Sequence, residues 1–186
     1  MTRLPKVLHQ QIIAKTRIFC VESLDLEFNN GERRTYERLV AGARGAVMVV
    51  PITDDGKLIL IREYAAGTHR YELAFPKGLM EMNETPAEAA NRELREETGF
   101  AARKFTPLKS MTLAPGYLTH QMHLLLAEDL YQAPLVGDEP EPIEVEQWPL
   151  ADAERLIQRD DFSEARSIAA LFLVKQLLQG RNHHDR

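Results

Sequence analysis

Apolar and polar residues alternate with a period of two from Leu24 to Phe28 and again from Arg33 to Leu39, on either side of Asn29-Asn30-Gly31. Alternation of this kind places every second side chain on one face of a pleated strand, and the intervening residues are turn formers. The stretch therefore predicts an antiparallel hairpin within a strand region from Thr16 to Leu39. Residues 1–11 show no period and predict a loose arm. The rhythm then changes. Gly45 to Ile52 (GAVMVVPI) is continuously apolar, as in a strand buried on both faces, and Asp54-Asp55-Gly56 turns the chain into a second strand, Lys57 to Tyr64. Tyr71 to Phe75 reads as a short strand, followed further on by Phe105 to Thr112, Gln121 to Ala127 and Ile143 to Trp148. Leu150 to Gln158 and Ser163 to Leu178 read as helices, the second with Ile168, Leu171, Phe172 and Leu178 on an apolar side.

The most strongly specified helix is Pro86 to Thr98. Thr85 stands at the N-cap, Pro86 at the first helical position, Glu88 completes a capping box, and Gly99 suits a left-handed stop. At about 100° per residue, Glu93, Glu96 and Glu97 share one side, edged by Ala89, Ala90 and Leu94. Asn91, Arg95 and Glu88 lie opposite. One reading of such a cluster is a solvated acidic face. Carboxylates at the edge of a packed face, however, require counter-charge. Arg92 can reach Glu96 one turn on, and a hard divalent cation with oxygen ligands supplies what remains.

The spacing Gly78, five residues, Glu84, seven residues, then Arg92-Glu93-Leu94-Arg95-Glu96-Glu97-Thr98-Gly99-Phe100 resembles the Nudix box at every specified position. The resemblance implies hydrolysis of a diphosphate linked to a second moiety, with Mg²⁺ or Mn²⁺. It implies metal ligation by Glu93, Glu96 and Glu97, with Arg92 steering them and Glu84 supporting the loop. The backbone carbonyl of Lys77 would add a ligand, and Gly78 would let the backbone approach the metal. The implied fold is of the α/β (α+β) class, a mixed sheet sandwiched between helices, with the box as loop–helix–loop. Relatives often carry a glutamate where this chain has Ala74, which leaves open whether Glu72 serves instead.

Within that family the stretches TRIFCVESLDLEF, IREYAAGT, YELAFPKGL and VGDEPEP resemble hydrolases of ADP compounds, close to ADP-ribose pyrophosphatases. This implies an N-terminal antiparallel β subdomain (1–43) exchanged in a homodimer, a hydrolase domain (44–180) and a disordered tail (181–186). The alternative is that the hairpin packs on its own catalytic domain; alone in water a ribbon is marginal. The acidic run Val136 to Glu146 contains Pro140 and Pro142, which forbid regular helix. The resemblance makes Glu141 an added metal ligand and Glu139 the base. Pro115 accompanies ADP-ribose hydrolysis in the family, and Tyr117 beside it fits dinucleoside polyphosphates. Arg62 or Lys77 is expected to neutralise phosphate, and Tyr36 or Phe28 to stack on adenine. The expected substrates are ADP-ribose and similar ADP-linked compounds, then diadenosine polyphosphates and NADH, releasing AMP. The alternatives are a hydrolase directed mainly at dinucleoside polyphosphates or NAD(H), and a non-catalytic ADP-ribose sensor, which tends to lose box glutamates retained here.

Composition narrows the partners. The chain has 186 residues, 44% hydrophobic and 27% charged, with a net charge of −5, fitting a globular domain and arguing against a basic nucleic-acid surface. Its single cysteine, Cys20, rules out an internal disulfide. No apolar run reaches membrane-spanning length and no signal peptide is evident, so a cytoplasmic protein without membrane partners is expected. His120 and His123, three apart, do not share a strand face and read as structural or surface residues; His183 and His184 lie in the polar tail.

Overall fold

The computed structural model describes residues 3–42 and 44–184, with backbone alone for 182–184. The predicted hairpin is present as β2 (Cys20–Glu27) and β3 (Arg33–Leu39), antiparallel from Val21↔Leu39 to Glu27↔Arg33, with Gly31 at φ 83° in the turn. The loose arm expected over residues 1–11 is instead mostly strand: β1 (Lys6–Lys15) adds to β2 as the third strand of the sheet. All ten of its residues are exposed, and register shifts at Val7/His9 and Ile12/Ala14 interrupt the alternation. A strand held by its ladder, with no buried face, writes no period into its sequence.

The chain divides into two compact units, Met1–Gly45 with Thr112–Gln121, and Ala46–Met111 with Met122–Arg186. The expected boundary at 43/44 falls at Ala43, outside the described residues. What the sequence did not reveal is that Thr112–Gln121 groups with the N-terminal unit, where Leu39 N–H donates to Tyr117 O at 2.7 Å and Ala41 N–H to the Thr119 hydroxyl at 2.9 Å.

The second unit is built on β4 (Ala46–Pro51), buried at all six positions. It runs parallel to β9 (Gln121–Gln132) and antiparallel to β7 (Lys77–Leu79), giving a mixed sheet β7-β4-β9-β8, with β8 spanning Phe100–Thr112. A second sheet, antiparallel, has the order β10-β5-β6, from Glu144–Pro149, Lys57–Ala65 and Arg70–Ala74. Alternation along β4 separates two cores. Val47 and Val49 face Ala89, Ala90 and Leu94 of helix α1 (Pro86–Thr98). Met48 and Val50 face Leu156 of α2 (Ala153–Ile157), and Ala170, Leu171 and Val174 of α3 (Ala165–His184). β4 is thus covered by α1 on one face and, on the other, by Leu58, Leu60 and Leu73 of the second sheet together with the α2 and α3 side chains, which is why it reads as an unbroken apolar run.

Predicted helix Leu150–Gln158 begins as a 3-10 turn over Leu150–Asp152 before α2. The tail expected to be disordered from 181 is helical through His184, a continuation of α3; its last two residues lie outside the described residues. His123 is structural, with Nδ1 2.8 Å from the Ser110 hydroxyl.

Candidate active site

Helix α1 begins and ends where its caps specify. Glu88 N–H donates to the Thr85 hydroxyl at 3.3 Å, Thr85 N–H returns a bond to Glu88 Oε2 at 2.8 Å, and Gly99 closes the helix at φ 78°. Ala89, Ala90 and Leu94 pack into the core and set the helix's rotation, which turns Glu93 and Glu97 inward. These are among the few buried charged side chains, at 8% and 5% exposure.

Arg92 knits the neighbouring carboxylates. Its Nε and Nη2 donate to the two Glu84 oxygens at 2.8 and 3.0 Å, Nη1 reaches Glu93 at 2.7 Å and Glu96 at 3.0 Å, and Nη2 also donates to Leu79 O at 2.9 Å. The loop before the helix is fastened by Glu84, which accepts from Glu81 N–H at 2.7 Å. Glu97 lies beyond Arg92's reach and accepts from Lys77 N–H at 2.9 Å. Burial pushes the Glu97 carboxyl up to about 9 against the pull of Lys77, with Glu63 and Glu93 adding repulsion. Burial also raises Glu93, opposed by Arg92 and reinforced by Glu96 and Glu139.

The backbone makes room for this group. A methyl on Gly78 would fall 2.1 Å from Glu93 Cδ, so glycine lets the β7 backbone lie under that carboxylate where any other residue would push it aside. A second glycine does the same from the acidic loop: a methyl on Gly137 would fall 2.2 Å from Glu139 Oε2 and 3.5 Å from Glu96 Cβ. Glu139 therefore stands beside the helix carboxylates. Glu141 is turned to the hydroxyl of Tyr71, which donates to its Oε1. Glu96, Glu97, Glu139 and Glu141 line one cavity of about 470 Å³.

Two segments of the chain match known domains: residues 42–171 the NUDIX domain, and residues 5–38 the NudE-type Nudix hydrolase N-terminal domain. The chain belongs to the Nudix hydrolase family. It is 52% identical over 177 residues to the ADP compounds hydrolase NudE of Escherichia coli, covering 95% of each chain. It is 32% identical to an ADP-ribose pyrophosphatase of Bacillus subtilis, covering 95% of this chain and 99% of that one. The crystal structure of an ADP compounds hydrolase superposes with a TM-score of 0.92 at 51% identity, covering 97% of both chains.

In this Nudix hydrolase the carboxylates are of the donor type a hard cation takes, and the glycines at 78 and 137 bring backbone close to Glu93 and Glu139. As the side chains stand, no three His, Cys, Asp or Glu groups among the described residues converge as a ligand set. Arg92 holds Glu93 and Glu96, while Glu97 is drawn to the Lys77 N–H. The residues fit a divalent metal, with Glu93, Glu96 and Glu97 as those that would hold it.

The other expected residues do not gather there. Arg62 and Glu63 are neighbours on β5 and so point to opposite faces. Arg62 pairs with Asp161 at 2.8 Å, Glu146 at 3.1 Å and Glu144 at 3.6 Å rather than with the carboxylates of α1. Glu63 instead accepts from Lys77 Nζ at 2.6 Å, a pair that faces Glu97; alternation along β5 shows only that Glu63 leaves the face of Arg62, not which group it meets. Glu72 does not stand in for the glutamate missing at Ala74: it pairs with Arg70 at 2.8 Å and accepts from Ser163 at 3.2 Å. Tyr36 and Pro115 line a cavity of about 340 Å³ inside the N-terminal unit, with Tyr117 at its wall and Phe28 packed against Tyr36 at a ring distance of 6.1 Å.

Proposed function

We propose that the protein is a Mg²⁺- or Mn²⁺-dependent hydrolase that splits the pyrophosphate bond of ADP-linked compounds such as ADP-ribose and, secondarily, diadenosine polyphosphates and NADH, releasing AMP. The observation that carries this reading is the pair of buried carboxylates, Glu93 and Glu97, gathered with Glu96 and Glu139 around glycines that clear space for them. Arg92 and Lys77 meet Glu63, Glu84, Glu93, Glu96 and Glu97, an excess of acidic groups that suits a cation held against an anionic substrate. The names of the similar proteins from E. coli and B. subtilis, both directed at ADP compounds, support the substrate class.

A bound divalent cation draws the phosphate oxygens and lowers the pKa of water near it. The chain's own residues do the rest. Arg92 fixes Glu93 and Glu96 in place, the Lys77 N–H orients Glu97, and Gly78 keeps the backbone close without obstructing Glu93. Glu139, beside Glu96, takes the proton as water bonds to one phosphorus and the bridging oxygen leaves, giving AMP and a phosphorylated remainder. Within the N-terminal unit, the aromatic wall that Tyr36 gives its cavity suits stacking on a purine ring. A homodimer joined through the N-terminal sheet and a cytoplasmic location belong to the same proposal. Among the described residues no helix is long and apolar enough to cross a membrane.

The test is a panel of ADP-linked compounds with Mg²⁺ or Mn²⁺, the products identified by phosphorus NMR in ¹⁸O-water. Glu97→Gln should lose at least 100-fold in turnover while keeping its fold. Undiminished turnover in that variant would remove the metal assignment.

A further inference from the structure

Glu139 and Glu141 sit in a segment, residues 136–143, that is fastened at both ends. Upstream, Ala133 N–H donates to Gly99 O at 2.9 Å, Leu135 N–H to Arg95 O at 3.2 Å, and Arg95 Nε to Ala133 O at 2.8 Å. Downstream, β10 pairs with β5 from Glu144↔Arg62 onward. Between those anchors, among the described residues, the only hydrogen bond is the one from the Tyr71 hydroxyl to Glu141 Oε1.

Tyr71 is itself well held. It lies directly opposite Tyr64 in the β5–β6 register, the rings meeting edge to face with centroids 5.9 Å apart. The Tyr64 hydroxyl is 2.7 Å from His69 Nδ1, and His69 N–H closes the turn onto Ala65 O at 2.8 Å. The segment is also stiff around the contact point, reading Glu139-Pro140-Glu141-Pro142. Each proline fixes its own φ and drives the residue before it toward extended backbone, so Glu139 and Glu141 are both constrained. Fixing the Glu141 carboxylate therefore fixes, through one proline, the direction from which Glu139 approaches Glu96.

We propose that Tyr71 is a positioning residue: its hydroxyl latches Glu141 and so holds Glu139 in the place from which it serves the reaction. The inference rests on the reading of Glu139 and Glu141 given above. The bond to Oε1 leaves Oε2 of Glu141 for other work, the arrangement by which an outer partner orients a ligating carboxylate. Removing a partner of that kind lowers activity by about 10–100-fold.

The test pairs Tyr71→Phe with Glu141→Ala and the double variant. Tyr71 is about half exposed and Phe keeps the ring, so the fold is retained. Hydrogen–deuterium exchange on the metal-free, substrate-free proteins should show faster exchange over residues 136–143 in Tyr71→Phe and in Glu141→Ala. Turnover of Tyr71→Phe should fall about 10-fold or more with KM changed less than about 2-fold. In the Glu141→Ala background the same change should have no further effect. Unchanged exchange in Tyr71→Phe, unchanged turnover, or losses that multiply in the double variant would each overturn the latch. Should the wild type hydrolyse none of the ADP-linked compounds, the proposed function falls and the exchange comparison alone decides whether the latch exists.

Discussion

Replacing Gly78 by alanine isolates the clearance on which the site depends. The added carbon would fall 2.1 Å from both Cδ and Oε1 of Glu93 and 2.3 Å from Oε2. Contacts under 3.0 Å do not persist, so the carboxylate must retreat by about 1 Å or the β7 backbone must move. Gly78 is not among the residues with positive φ, and the substitution therefore adds no backbone strain. Glu93 has little room to yield, being buried and held by Arg92 Nη1 at 2.7 Å. Overpacking of this kind costs about 1–3 kcal/mol of stability, whereas a 1 Å misplacement at a reacting centre lowers turnover by about 100-fold. Gly78→Ala should thus keep a cooperative melt while losing about two orders of magnitude in AMP release, and its affinity for Mn²⁺, followed by electron paramagnetic resonance, should weaken in parallel. Gly67→Ala is the control, since nothing lies within 4 Å of its methyl and its φ is ordinary; it should be neutral or slightly stabilising. Wild-type turnover and Mn²⁺ affinity in Gly78→Ala would refute the claim that the glycine exists to seat Glu93.

Two further outcomes follow from features away from the carboxylates. Arg159 and Arg62 hold the Asp161 carboxyl well below the usual carboxylate range, so its contribution to stability is present at neutral pH and fades as pH falls below about 4, where the unfolded chain takes up the proton. Asp161→Asn should cost about 1.5–3 kcal/mol at pH 7 in urea unfolding, and the gap from wild type should narrow steadily as pH falls from about 4 toward 2; a gap independent of pH would assign the loss to packing. The N-terminal sheet leaves Leu4, Ile12, Ile18 and Phe19 more than half exposed, which a partner sheet would cover. Sedimentation at micromolar concentration should therefore show a dimer, and a monomer alone would dispose of the exchange.

What the sequence made legible follows burial. The apolar run at β4 and the alternation in β2 could be read because β4 is buried at every position and β2 buries Glu22 and Leu24 on one face, while β3, largely exposed, could be read through the Asn29-Asn30-Gly31 turn that ties it to β2. Helix α1 could be read to the residue, because its caps are local and depend on nothing outside residues 85–99. β1 escaped because its ten side chains are all exposed. The continuation of α3 past Gly180 escaped for a related reason: a polar last turn carries no apolar stripe to distinguish it from a tail.

The site divides along the same line. That Glu93, Glu96 and Glu97 share one side of α1 could be read from helical spacing, because a helix fixes relative direction within itself. The ion pairs of Arg62 could not be read, because its partners Glu144, Glu146 and Asp161 stand at least 82 positions away in the chain and no local pattern reports them. The contact of Tyr71 with Glu141 escaped for the same reason, the two being 70 residues apart. A local motif thus states which groups are present on one element, while long-range pairing decides which charges are already spent. In this protein that second question separates Arg62, committed to three carboxylates, from Arg92, whose partners are themselves the proposed metal-binding groups. A cation entering among Glu93 and Glu96 would displace or share the Arg92 bonds without leaving Glu84 unpaired, since the guanidinium's other edge stays on Glu84 and Leu79. Arg92 can therefore hold the acidic face together before metal arrives and stay anchored after it, which a lysine, with a single point of charge, could not do at both edges.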